Sequence, residues 1–152
     1  MIKEAALAAL MVLTGTPAHA EPKYGPYQVD EYAVPAVKSG VGTWVKTWWS
    51  SLSDVCDVRV TVKAPDVTIT YPENTGTYTS FRRTADLARD DNDYTAFRVV
   101  TTTTTTRWIE LATEVEYTKL PENTLKPGST ASVPCTGKRS HRETTTRLLV
   151  LE

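Results

Sequence analysis

From Val55 onward the chain keeps a period of two, and that regularity decides most of what it can become. Val58, Val60 and Val62 alternate with Asp57, Arg59, Thr61 and Lys63; after Ala64-Pro65, the residues Val67, Ile69 and Tyr71 alternate with Asp66, Thr68 and Thr70. Successive side chains of a strand point to opposite faces, so each stretch reads as a strand with one apolar and one polar side. Residues 78–83, 94–103, 107–118, 129–135 and 143–151 continue the extended pattern, with Trp108, Leu111 or Ile109, Val115 and Tyr117 as inward candidates in the third of these. Pro72-Glu-Asn-Thr-Gly, the charged stretch 89–93 and Pro121-Glu-Asn-Thr-Leu-Lys-Pro-Gly supply turn chemistry between them. Short strands at about ten-residue spacing predict an all-β fold, an antiparallel immunoglobulin-like β-sandwich.

Cys56 and Cys135 are the only cysteines. Residues 1–20 begin Met1-Ile-Lys-Glu, continue through an apolar run over 5–13 and end in Ala18-His19-Ala20, the small-x-small pattern of a secretion signal. A secreted, extracellular protein meets an oxidising environment, where two cysteines allow one intramolecular bridge. Such a disulfide joins an early strand to a late one and is expected to clamp the two sheets, worth about 4 to 5 kcal/mol in the chain-entropy model. The apolar run is too short to cross a bilayer and no later run is longer, so no membrane span is expected.

Lys and Arg total 17 against 18 Asp and Glu, a balance that argues against a protein built to grip nucleic acid or an anionic membrane. Three segments follow: a signal over 1–20, an extended Pro/Gly/Tyr-rich arm over 21–42 and a β-sandwich domain over 43–152. Pro22, Pro26 and Pro35 with Gly25, Gly40 and Gly42 block a helix in the arm and permit an extended run. An extended arm can add a strand to a partner's sheet edge, with Tyr24, Tyr27, Tyr32 and Val34 as its anchors.

Between arm and strands, Trp44, Trp48 and Leu52 recur at helical spacing and predict a short helix capped by Thr43. The extended alternative puts Val45, Thr47 and Trp49 on one face and Trp44, Lys46 and Trp48 on the other. Trp44, Trp48 and Trp49 either plug one end of the sandwich or form a binding face for protein or sugar, since indole removes much apolar area with few rotors.

Catalytic and metal inventories are thin. His141 follows the signal as a single histidine, in a basic stretch with Lys138, Arg139 and Arg142, and no Gly-x-Ser-x-Gly surrounds any serine. Asp90, Asp91 and Asp93 could offer oxygen ligands to calcium, but they lack the spacing, glycine and distal glutamate of an EF-hand loop; a strand-connecting turn is the expectation. No enzyme activity, cofactor or metal site is therefore expected.

The layout of a signal ending in Ala18-His19-Ala20, a Tyr/Pro arm, a Val-rich strand beginning around Cys56 and a late Ala131-Ser-Val-Pro-Cys135 resembles small secreted actinobacterial β-sandwich proteins, such as the adaptor subunits of umbrella-type toxin particles. That resemblance implies an adaptor linking a lectin-like subunit to a toxin stalk. The expected function is a secreted non-enzymatic protein-binding module, an adaptor or structural subunit of an extracellular assembly that meets other secreted proteins through its N-terminal arm. The alternative is a secreted inhibitor of a protease or glycosidase.

Overall fold

The computed structural model describes residues 25–30, 34–73 and 75–152. The signal at 1–20, Tyr24 and Tyr32 lie outside the described residues. Eight strands form: β1 (Pro26–Gln28), β2 (Val37–Lys38), β3 (Thr43–Ser51), β4 (Val55–Lys63), β5 (Val67–Thr70), β6 (Asn92–Thr101), β7 (Arg107–Lys119) and β8 (Arg139–Leu151). They build two four-stranded sheets, ordered β1-β3-β6-β5 (sheet one) and β2-β8-β7-β4 (sheet two). All pairs are antiparallel except β2 with β8. Taking β1 and β2 as one leading strand divided between the sheets, the order is that of the immunoglobulin class: first, second, fifth and fourth strands against third, sixth and seventh.

The core lies between the sheets. Val45, Trp49, Phe97 and Val99 from sheet one meet Val58, Val60, Leu111, Val115 and Leu148 from sheet two, each at most 1% exposed. The alternation read from Val58 to Val62 holds, interrupted only by a bulge between Cys56 and Arg59. Asp57 sits in that bulge with φ of 48°, and Val55 and Cys56 are both buried beside it. An extra residue at a bulge lets two neighbours turn to the same face.

Four expectations are corrected. Residues 43–51 are strand rather than helix, because Val45, Thr47 and Trp49 bury together while β6 and β1 take up the backbone hydrogen bonds on either side. Stretches 129–135 form no strand: every residue there except Val133 is exposed, and Pro134 lacks an N–H to pair. Residues 139–142, in the basic stretch ahead of the strand expected over 143–151, already belong to β8, paired residue by residue with Val115–Thr118. Trp108 points outward at 55% exposure, with the Arg147 guanidinium 5.4 Å from its ring centre, while Ile109 takes the inward place.

The described part of the arm belongs to the sandwich. β1 pairs with β3 and β2 with β8, and Val37 is 1% exposed. Gly40 takes φ of 70° so that the chain can turn and donate its N–H to the Thr101 carbonyl.

Cys56 and Cys135 are bonded, with Cα atoms 5.8 Å apart. Both belong to sheet two and its connections, so the bridge does not clamp the sheets together. It fastens the long β7–β8 connection, 120–138, to the start of β4. Buried Asp54 fastens the other end: its carboxylate accepts N–H bonds from Arg89 (2.8 Å) and Leu125 (2.9 Å), and its carbonyl accepts that of Leu120.

Reducing the bridge, or substituting Cys56→Ala with Cys135→Ala, should lower stability by roughly 2 to 4 kcal/mol. Urea unfolding with and without reductant checks the size. Amide exchange should show protection lost first across 120–138, ahead of β6 and β7.

Candidate partner-binding face

Strand β3 sorts its tryptophans by parity. Trp49 is 1% exposed, whereas Trp44 and Trp48 stand outward at 52% and 42%. The buried indole is fully engaged: its Nε1 donates to Thr47 Oγ1 (3.0 Å) and Thr95 Oγ1 (3.1 Å), and these two hydroxyls are 2.7 Å apart. Trp49 therefore belongs to the core, and its expected place among contact residues is withdrawn, since a side chain with no accessible surface cannot touch a partner.

Register with β6 completes the outer face. Trp44 lies opposite Arg98, Lys46 opposite Ala96 and Trp48 opposite Tyr94. The Trp48 and Tyr94 rings are 5.1 Å apart between centroids and tilted by 54°, and Lys46 Nζ lies 4.7 Å over the Tyr94 ring. On the far side of β3, the exposed Val29 donates its N–H to the Trp48 carbonyl, and Asp30 Oδ1 accepts the Trp48 N–H at 2.9 Å. A shallow cleft of about 450 Å³ adjoins Tyr94, walled by Tyr78, Thr79, Ser80 and Arg82.

The remaining expected contact residues are scattered. Tyr27 is half-buried on β1 opposite Ser50, and Val34 packs against the core. Tyr27 shares the outer face of the Trp44–Trp48 row, because Ser50 follows Trp48 at the strand period, whereas Val34 does not join it. Tyr94, Lys46 and Val29 do join it and escaped the sequence reading. Lys46 was legible in the extended alternative for 43–49, which put it between the two tryptophans, but Tyr94 reaches Trp48 only through cross-strand register.

The other candidates resolve into structural roles. Arg83 gathers the acidic turn: it donates from Nη2 to Asp91 (2.7 Å) and from its backbone N and Nε to Asp93 (3.0 and 3.3 Å). Asp91 also accepts the N–H groups of Gly128 and Asn92 at 2.8 Å each, so this turn anchors the β7–β8 connection. Asp90 stands apart against Arg89. His141 lies on the outer side of sheet two with its ring nitrogens toward Glu114 (3.1 Å) and Glu143 (3.4 Å). No group of three or more His, Cys, Asp or Glu able to hold a metal ion occurs among the described residues.

Neither the protein-family models nor the curated proteins give a match to this sequence. Two solved structures are similar in outline. An ASH/PapD-like domain of human CEP192 superposes with a TM-score of 0.40 at 9% identity, covering 98% of this chain and 96% of that one. AvmM, which catalyses macrocyclization in alchivemycin A biosynthesis, gives 0.41 at 11% identity over 86% and 89%. Likeness at this level carries no site residue across.

Burial alone would raise the Asp91 carboxyl, but the Gly128 and Asn92 amides and the Arg83 guanidinium outweigh it and hold the group below the usual aspartate range. As pH falls, the unfolded chain takes up the proton first. The stability that Asp91 supplies is therefore full above the ordinary aspartate value and lost as pH drops through the lower folded one. Asp91→Asn should cost about 1 to 3 kcal/mol at neutral pH and flatten this acid limb, read as the urea midpoint against pH.

Proposed function

We propose that this protein is a secreted, non-enzymatic binding module, an adaptor or structural subunit of an extracellular protein assembly, and that it meets its partner through the outer face of sheet one. One observation carries the reading: two tryptophans stand about half exposed on one strand, flanked by Tyr94, Lys46 and Val29, on a sheet that buries a third tryptophan beneath them. Exposed indole carries a standing cost in water that burial against a partner removes, and tryptophan leads the residues found at interface hot spots.

Protein suits this face better than a flat polysaccharide. Sugars stack on open, coplanar rings, whereas Trp48 and Tyr94 are tilted against each other and Lys46 covers the Tyr94 ring. A ridged, partly charged surface fits side chains that interdigitate. The signal-like 1–20 stretch and the Cys56–Cys135 bridge support export, and the layout shared with adaptor subunits of toxin particles supports the assembly role. With β1 and β2 already held in the sheets, the face rather than a free arm is the main contact.

The test uses immobilised protein exposed to the medium of producing cells, followed by titration of the recovered partner. Trp44→Ala and Trp48→Ala should each weaken binding by about 30-fold or more while melting stays within a few degrees of wild type. Trp108→Ala, an equally exposed tryptophan on the opposite sheet, should leave affinity unchanged. Equal losses from all three, or none from Trp44 and Trp48, would overturn the assignment.

A further inference from the structure

The two outer faces of the sandwich differ in the kinds of charge they carry. Strands β1, β3, β5 and β6 together contain a single carboxylate, Asp93, and it points inward to Arg83 at 4% exposure. Sheet two carries Asp57, Glu110, Glu114, Glu116 and Glu143, and most of these carboxylates meet a cation: Arg139 reaches Asp57 and Glu116, Arg59 reaches Asp57, and His141 reaches Glu114 and Glu143, while Lys63, Arg142 and Arg147 form no ion pair among the described residues. On sheet one, Lys46 and Arg98 form no ion pair among the described residues, nor does Arg82 at the rim beside Tyr94. At the rim, Asp30 accepts the Trp48 amide N–H.

We propose that the Trp44–Lys46–Trp48 row receives an acidic protein segment, with carboxylates meeting Lys46, Arg98 and Arg82 and an apolar side chain lodged between the two indoles. This rests on the reading of the same face as the contact surface and adds the chemistry of its occupant. Unanswered cations on an aromatic surface favour negative charge for two reasons. Opposite charge speeds encounter and fixes register, and a basic partner would meet like charge on a face whose strands turn no carboxylate outward. Alternate residues of a strand share a face, which places Trp44 and Trp48 about 13 Å apart along β3 with the Lys46 ammonium between them. An extended segment of acidic residues around one bulky apolar residue matches that spacing.

A phage-displayed library of random peptides, selected on the wild-type protein with subtraction on the Trp44→Ala/Trp48→Ala variant, tests both layers. The expected result is enrichment of peptides rich in Asp and Glu around an aromatic or aliphatic residue. The synthetic consensus should bind about tenfold more weakly to Lys46→Glu and lose about tenfold in affinity between low and high salt, measured by tryptophan fluorescence titration. Trp-dependent peptides that are neutral or basic, or a salt-insensitive consensus, would overturn the acidic occupant and leave the contact face standing. Tighter Trp-dependent binding of an anionic oligosaccharide such as a hyaluronan fragment would also overturn it, in favour of a glycan. If no selected peptide depends on the tryptophans, the face itself is wrong and the inference falls with it.

Discussion

The hydrogen bonds that Trp49 makes inside the sandwich hold the parity of β3, and the parity of β3 sets everything outside it. An indole N–H buried without an acceptor costs on the order of 1 to 3 kcal/mol. Here two threonine hydroxyls, one from β3 itself and one from β6, converge on it at 3.0 and 3.1 Å. A slip of one residue would turn Trp44, Lys46 and Trp48 into the core and Val45, Thr47 and Trp49 into water. Burying Lys46 and orphaning the indole make that alternative prohibitive, so one internal constraint positions the external row.

Closing the sandwich is a separate problem, solved by side chains at one end. The connection over 120–138 has almost no apolar surface of its own to bury, yet it is held at four points: Leu120 and Leu125 by Asp54, Gly128 by Asp91, and Cys135 by its bond to Cys56. Two buried or half-buried carboxylates accepting backbone N–H groups do here what a strand ladder does elsewhere. The disulfide adds to this by restricting the unfolded chain rather than by joining the sheets.

These arrangements leave the two outer faces with different characters. Sheet two presents a mix of both signs in which Arg139 meets both Asp57 and Glu116, and exposed pairs of that kind contribute little stability. Sheet one presents indoles, a tyrosine and cations, and its strands turn no carboxylate outward. The covered bottom of its tryptophan cluster is finished structure, and the uncovered top is what remains for contact.

The sequence by itself determined the sandwich, because alternation such as Val58-Arg59-Val60-Thr61-Val62 has only one physical reading, and it determined the bridge, because two cysteines leave a single pairing. It did not determine 43–51, whose apolar residues satisfy both a helical and an extended period; there the choice fell to neighbours, β1 and β6, which offer hydrogen bonds and a threonine pair no local pattern can reveal. Trp108 and Ile109 were ambiguous for the same reason: adjacent apolar residues differ only in which one the opposing sheet covers. Likewise Tyr94 is separated from Trp48 by a long stretch of chain and becomes its neighbour through register alone. Local patterns fix the period of a segment, since that depends on side chains a few residues apart, but which face is buried and what meets across it depends on partners that only the folded chain brings near.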